Sequence, residues 1–143
     1  IARYERAVRF LEGESTIADQ QAGLASRIGK LRRARTRLAS IQLEANRIDG
    51  ALRTVAALRG AAVPSSEEHV VLRMEALLAQ AQGRWPDALR LAREWLSRSG
   101  SDQQAGLASR AEAMRLVAEA YEHVGDVKAA EAVRASMRLN GVR

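Results

Sequence analysis

The chain of 143 residues contains no cysteine, only two prolines and 3% aromatic residues. Without cysteine it can form no disulfide framework, thiolate metal site or cysteine nucleophile, and a reducing cytoplasm is the expected location. Its apolar runs, such as 61–63 and 76–79, are far shorter than the roughly 20 residues that a membrane helix needs. We therefore expect neither a membrane span nor a small secreted scaffold.

Alanine and leucine supply most of the 47% of residues that are hydrophobic. Both favour helices, so the composition predicts an all-α domain. The net charge of +6 is compatible with binding to acidic partners, including nucleic acid. Because the two halves of the chain carry similar charge, direct binding of nucleic acid is not expected.

Three segments share one layout, in which a helix ends at a Gly or Asn turn and a small residue follows five positions later, inside a second helix. Gly and Asn enter the left-handed conformation that ends a helix more easily than other residues. Alanine early in the second helix lets the two helices approach closely. The pattern therefore predicts antiparallel helical hairpins. The turn residues are Asn46, Gly83 and Gly125, and the packing residues are Ala51, Ala88 and Ala130.

This layout resembles the tetratricopeptide repeat (TPR), which also has a small residue in the middle of its first helix, here Ala39, Ala76 and Ala118. Tyr121 matches the tyrosine position of the last repeat. The aromatic residue usual near the start of the first helix is replaced by Arg35, Leu72 and Met114. The resemblance implies a right-handed superhelix of three hairpins in a single helical domain. Its parts are 1–30 (an N-terminal helix and the start of a long helix), 31–60, 67–100 and 102–140.

Residues 70–139, with the run Leu77–Leu89 (LLAQAQGRWPDAL) at their centre, are similar to the helical region of bacterial LuxR-type, ATP-dependent regulators of the MalT-like kind. That resemblance implies a non-enzymatic sensor or oligomerisation arm between an ATPase domain and a DNA-binding domain. The sequence contains neither a phosphate-binding loop nor a helix-turn-helix. Because it begins at Ile1, within an apparent helix, we expect a piece of a longer polypeptide. The alternative is a free-standing adaptor or chaperone of a bacterial secretion or surface-assembly system.

Local signals predict where the elements begin and end. A first helix is expected over Tyr4–Glu12, and a long one from about Ile17 to Ala45 with a break near Gly23 or Gly29. Loops are expected at 60–68, with Ser65 or Ser66 as N-cap of the next helix, and at 97–102. The nine residues DQQAGLASR occur at both 19–27 and 102–110. Each copy is expected to open a helix with its Asp as N-cap.

The sequence gives little support for catalysis. Its two histidines, His69 and His123, lie near predicted helix ends, where solvated or capping roles are expected. No serine lies in a GxSxG elbow. We therefore expect no enzyme activity, no metal and no cofactor.

The densest charged segment is 27–37, with six cations and no acid. It is either a solvated helix border, with arginine stems lying on apolar surface, or a site for an acidic partner. Arg35 falls within the apolar stripe of the predicted helix and needs an anionic neighbour, a helix C-terminus or a groove.

In TPR proteins the first helices of the hairpins line the inner surface, so the resemblance implies a groove for a protein or peptide partner or a small effector. Its candidate residues are Arg33, Thr36, Ser40, Arg73, Leu77, Gln80, Arg115, Glu119 and Glu122. Ser40, Leu77 and Glu119 replace the asparagine of the known carboxylate clamp, so that clamp is not predicted.

Two of these candidates, Arg73 and Arg115, would either hold an anion or form a structural salt bridge, for instance Arg115 with Glu119. Trp85 and Trp95 would either anchor a partner or pack between repeats. Exposed ends of a helical stack also make self-association an expectation.

Overall fold

The computed structural model describes residues 2–13, 21–61, 63–101 and 106–141. All regular elements in these ranges are helical, as the composition predicts. None of the described helices is long and apolar enough to cross a membrane. The α-helices are α1 (Ala2–Gly13), α2 (Gln21–Glu44), α3 (Ile48–Gly60), α4 (Glu68–Ala81), α5 (Trp85–Ser101), α6 (Gly106–His123) and α7 (Val127–Leu139). A short 3-10 helix, Ser65–Glu67, precedes α4.

The chain divides into two compact units, 1–62 and 63–143. In the first unit, α2 packs against both α1 and α3. In the second unit, each helix packs against the next one along the chain, from α4 to α7. Short turns join α2 to α3, α4 to α5 and α6 to α7, so each of these pairs is an antiparallel hairpin.

The hairpin turns have the conformation that the sequence predicts. Asn46, Gly83 and Gly125 have φ angles of 56°, 71° and 89°. After Asn46, the amide of Arg47 donates to the carbonyl of Gln42 at 2.7 Å, and the two glycine turns contain the same bond at 2.9 Å. This six-to-one bond caps a helix whose next residue is left-handed. The three turns therefore end their helices by one shared mechanism.

The small residues of the hairpins are buried. Ala51, Ala88 and Ala130 are all 0% exposed. The small residues of the preceding helices are also buried: Ala39, Ala76 and Ala118. Each hairpin thus has alanine on both sides of its interface, where a longer side chain would separate the helices.

The second unit is built around Trp95, which is fully buried. Its indole Nε1 donates to Ser109 Oγ on α6 at 3.3 Å. The packing role weighed for Trp95 is therefore confirmed. A cluster of buried residues from α4, α5 and α6 surrounds it, namely Leu72, Ala76, Ala92, Ala113, Leu116 and Val117.

A buried polar contact joins α2 to α3 in the first unit. Thr54 Oγ1 lies 2.8 Å from Gln42 Oε1 and 3.0 Å from the carbonyl oxygen of Gly50. A β-carbon at Gly50 would lie 2.7 Å from Gln42 Nε2, so glycine allows the two helices to meet around the buried amide. Nothing in the sequence predicts this contact.

The predicted break in the long helix is wrong, because α2 continues through both Gly23 and Gly29. A glycine inside a helix costs only about 1 kcal/mol relative to alanine, and packing against two helices offsets that cost. The apolar stripe is only partly covered, since Leu24 is 37% and Ile28 43% exposed. With 13 residues against 24, α3 pairs with only part of α2.

Two further boundary predictions are wrong. Neither Ser65 nor Ser66 caps α4, because both lie in the 3-10 helix that the amide of Glu67 closes on the carbonyl of Pro64. Residues 97–101 are not a loop but the end of α5. There Ser99 Oγ donates to the carbonyl of Trp95 at 2.8 Å, which satisfies its hydroxyl inside the helix.

The duplicated segment is described only in part. Asp19 and Asp102, the expected N-caps, lie outside the described residues. The remainder of each copy is helical where it is described, in α2 from Gln21 and in α6 from Gly106.

Replacing Ala130 with leucine should overpack the α6–α7 interface and lower the free energy of unfolding by about 1–3 kcal/mol. The same result is expected for Ala88→Leu in α5. Ala132→Leu on the exposed side of α7 is the matched control and should change stability by less than about 0.5 kcal/mol. Urea denaturation followed by circular dichroism measures all three. Equal effects at Ala130 and Ala132 would contradict the packing described above.

Candidate functional site

The first helices of the two hairpins in the second unit are joined by an ion pair. The guanidinium of Arg73 on α4 donates to the carboxylate of Glu112 on α6, with Nε 3.0 Å from Oε2 and Nη2 2.9 Å from Oε1. The two side chains are 33% and 39% exposed. This two-pronged geometry fixes the relative orientation of both groups.

A second contact between α4 and α6 lies two helical turns beyond the Arg73–Glu112 pair. Gln80 Nε2 donates to Glu119 Oε2 at 3.1 Å, and both pairs join residues 39 positions apart. A constant offset means that α4 and α6 run side by side in one register. The first helices of successive hairpins are therefore neighbours in this unit.

A third contact between helices is an ion pair that joins α6 to α7, where Arg134 Nη1 donates to Glu122 Oε1. That hydrogen bond is the main reason why the pKa of the Glu122 carboxyl is lowered from its ordinary value. The same bond raises the pKa of Arg134. Both groups lie at the protein surface.

Of the predicted groove residues of the second unit, Gln80 and Glu119 bind each other, whereas Arg73 and Glu122 bind Glu112 and Arg134 on neighbouring helices. Of the alternatives for Arg73, the structural salt bridge is confirmed, with Glu112 as partner. Glu119 accepts from Gln80 on the neighbouring helix, a contact that the sequence did not predict. Leu77 is half-buried and packs against the Trp95 cluster, and Arg115 is exposed.

In the first unit, the candidate positions lie along α2. Arg33 is exposed, whereas Ser40 and Arg35 are half-buried. Thr36 Oγ1 donates to the carbonyl of Arg32 at 2.9 Å, so its hydroxyl is bound within its own helix.

An aromatic pair joins the start of α5 to the end of α6. The rings of Trp85 and His123 are stacked, with centroids 3.8 Å apart and planes inclined by 6°. Trp85 is half-buried at the edge of the Trp95 cluster. His123 is exposed in the last turn of α6, as expected for a solvated residue near a helix end, and it also stacks on an aromatic ring. The stacking is a contact between distant residues, for which the local sequence contains no signal.

Within the described ranges, no group of three histidine or carboxylate side chains is placed to hold a metal ion. A surface concavity of about 400 Å³ lies along α5. It is lined by Pro86, Leu89, Arg90, Arg93, Glu94 and Ser97. Arg90 Nη1 lies 3.8 Å from Glu94 Oε1 within this surface, which makes it a charged helix face rather than an enclosed, mostly apolar ligand site.

Arg73 and Glu112 should show a favourable coupling free energy of about 0.2–1 kcal/mol in a double-mutant cycle with alanine. The two-pronged geometry and partial exposure of the pair set that range. The cycle for Arg90 and Glu94, which are more exposed and 3.8 Å apart, is the control and should give a smaller coupling. A coupling of zero at Arg73 and Glu112 would contradict the predicted contribution of this pair.

The Glu122 carboxyl should titrate below the pKa of glutamate in the unfolded chain, because Arg134 stabilises its charged form. The ion pair therefore contributes stability above the unfolded pKa, and this is lost as the pH falls through the folded pKa. NMR titration of the side-chain carboxyl carbon measures the shift. Arg134→Gln should raise the pKa toward its ordinary value, whereas Lys128→Gln, at another exposed cation of α7, should not. Equal effects of the two changes would exclude the specific pairing.

Comparison with known proteins adds no relative to this description. No family model matches the chain, and no curated protein or solved structure is detectably similar to it.

Proposed function

We propose that this chain is a non-enzymatic interaction module made of TPR-like helical hairpins. The observation that supports it best is the pair of contacts Arg73–Glu112 and Gln80–Glu119, both with a 39-residue offset. Such an offset is expected when hairpins stack with their first helices side by side, as in a solenoid. The right-handed superhelix of three hairpins that the TPR resemblance implies is part of this proposal.

The polar groups of the second unit also favour binding over catalysis. Three of its polar contacts, Arg73–Glu112, Gln80–Glu119 and Arg134–Glu122, connect neighbouring helices, and its largest fully buried side chain, Trp95, belongs to the core. A catalytic site instead needs a nucleophile or acid–base group positioned for a reacting atom. The module's role is therefore to present helix surfaces to a protein or peptide partner, a small effector or a second copy of itself.

The biological setting that we propose is the sensor or oligomerisation arm of a bacterial, MalT-like transcription regulator in the cytoplasm. Its support is the resemblance of residues 70–139. The alanines and the turn glycine at the centre of that resemblance, Ala76, Gly83 and Ala88, hold the α4–α5 hairpin together. In such a regulator, other domains would hydrolyse ATP and bind DNA.

The regulator proposal is tested by the size and the domain content of the polypeptide that contains this chain in its source cells. An antibody raised against residues 1–143 should detect a product much larger than 15.6 kDa. Mass spectrometry of that product should find a phosphate-binding loop on the N-terminal side and a helix-turn-helix on the C-terminal side. A product of 15.6 kDa would contradict the regulator proposal and favour a free-standing adaptor.

A further inference from the structure

The positive charge of the protein is concentrated on one helix. Six Lys or Arg residues and a single acid, Glu44, give α2 a formal charge of +5, and the whole chain carries +6. The acid is the last residue of the helix, beyond all six cations. The charge of the rest of the chain is therefore nearly balanced.

Three of these cations form a row on the surface of α2. Lys30, Arg33 and Arg37 are spaced i, i+3 and i+7, so they lie within an arc of about 60° and span about 10 Å along the helix. All three side chains are exposed. Throughout the described part of the chain, none of them is within ion-pair distance of a carboxylate. Lys30, Arg33 and Arg37 are called the cationic row below.

Two helix-surface cations of the second unit are paired, in contrast to this row. Arg73 is neutralised by Glu112, and Arg134 by Glu122. Each of those carboxylates comes from a neighbouring helix of the unit. Among the residues that the structure describes, the cationic row has no such neighbour, so its mutual repulsion is relieved by solvent ions or by an anionic partner.

The geometry points to the cationic row as a docking surface for an acidic peptide segment, with carboxylates at i, i+3 and i+7 of a partner helix. This inference rests on the proposed interaction function and names its partner class. A partner helix has the same rise per residue as α2, so its carboxylates match the row along the whole span. The two arginines can each bind a carboxylate through two parallel hydrogen bonds, and Lys30 supplies a point charge.

A single straight row of three cations fits nucleic acid less well. Duplex DNA presents phosphates on two curved strands, and proteins that bind it strongly make about 6–10 phosphate contacts. Duplex binding is therefore an outcome that the experiment must separate from peptide binding.

The test uses the full chain and fluorescence anisotropy. The probe is a labelled helical peptide of about four turns with Glu at i, i+3 and i+7 in an Ala/Gln host, and its control has Gln at those positions. The test variant is Lys30→Glu/Arg33→Glu/Arg37→Glu. The matched variant, Arg93→Glu/Lys128→Glu/Arg138→Glu, makes the same change in net charge at exposed cations elsewhere. A second pair of variants replaces the same three residues of each set with Gln, which removes the charge without introducing acids and so is less disruptive to folding. Circular dichroism checks the helix content of every variant.

We expect the Glu peptide to bind, with weaker binding as salt increases, and the change in the cationic row to weaken it about tenfold or more. The matched variant should stay within about twofold of the unchanged chain. Equal losses in both variants, equal binding of the Gln peptide, or no binding of the Glu peptide up to about 1 mM would overturn the inference.

Tighter binding of duplex DNA through the same three residues would also overturn it and would assign the row to nucleic acid. A failure of peptide binding leaves the regulator proposal intact if the larger polypeptide is found. If only the 15.6 kDa product is found, the regulator proposal is refuted, whereas the result of the peptide-binding experiment still stands.

Discussion

The close approach of paired helices at alanine is the constraint on which the rest of this structure depends. Ala51, Ala88 and Ala130 have no accessible surface, so neighbouring atoms cover them completely. With only a β-carbon at an interface, two helices can approach to the lower end of the usual axis separation of about 8–10 Å. In the second unit, that spacing also brings α4 and α6 within reach of each other's side chains. The ion pair between Arg73 and Glu112 is possible because the helices of the hairpins pack closely.

The surface pairs add specificity to this packing more than they add stability. Exposed ion pairs contribute little, typically 0.2–1 kcal/mol, because water already solvates both charges. Arg73–Glu112 and Gln80–Glu119 lie two helical turns apart, however, and two fixed points on a helix determine both its rotation and its translation against the neighbour. A one-residue slip would turn each side chain by about 100° and break both contacts. The hydrophobic core around Trp95 provides stability, and the polar pairs select one register for it.

The sequence predicts those features of the fold that depend on neighbouring residues. Gly83 and Gly125 indicate turns because a left-handed backbone favours glycine at that one position. The alanines five residues later indicate the interface because their distance from the turn is fixed along the chain and their small size permits close packing. Contacts between distant residues leave no such signal. Thr54 meets Gln42, Trp85 meets His123 and Arg73 meets Glu112 only because the hairpins have already packed. The loop predicted at 97–101 is wrong because the Ser99 hydroxyl bonds to a carbonyl within the helix. The N-cap predicted at Ser65 or Ser66 is wrong because a 3-10 helix precedes α4.

The buried residues that stabilise α2 and the cationic row lie on different sides of the helix. Like charges three or four residues apart destabilise a helix by a few tenths of a kcal/mol for each pair, so Lys30, Arg33 and Arg37 oppose helix formation. Leu38, Ala39 and Gln42 are buried in the same helix. Burying one leucine side chain contributes about 1.5–3 kcal/mol, which outweighs that repulsion several times over. The folded helix therefore does not need the cationic row, whose charge remains in solvent, where a partner can reach it.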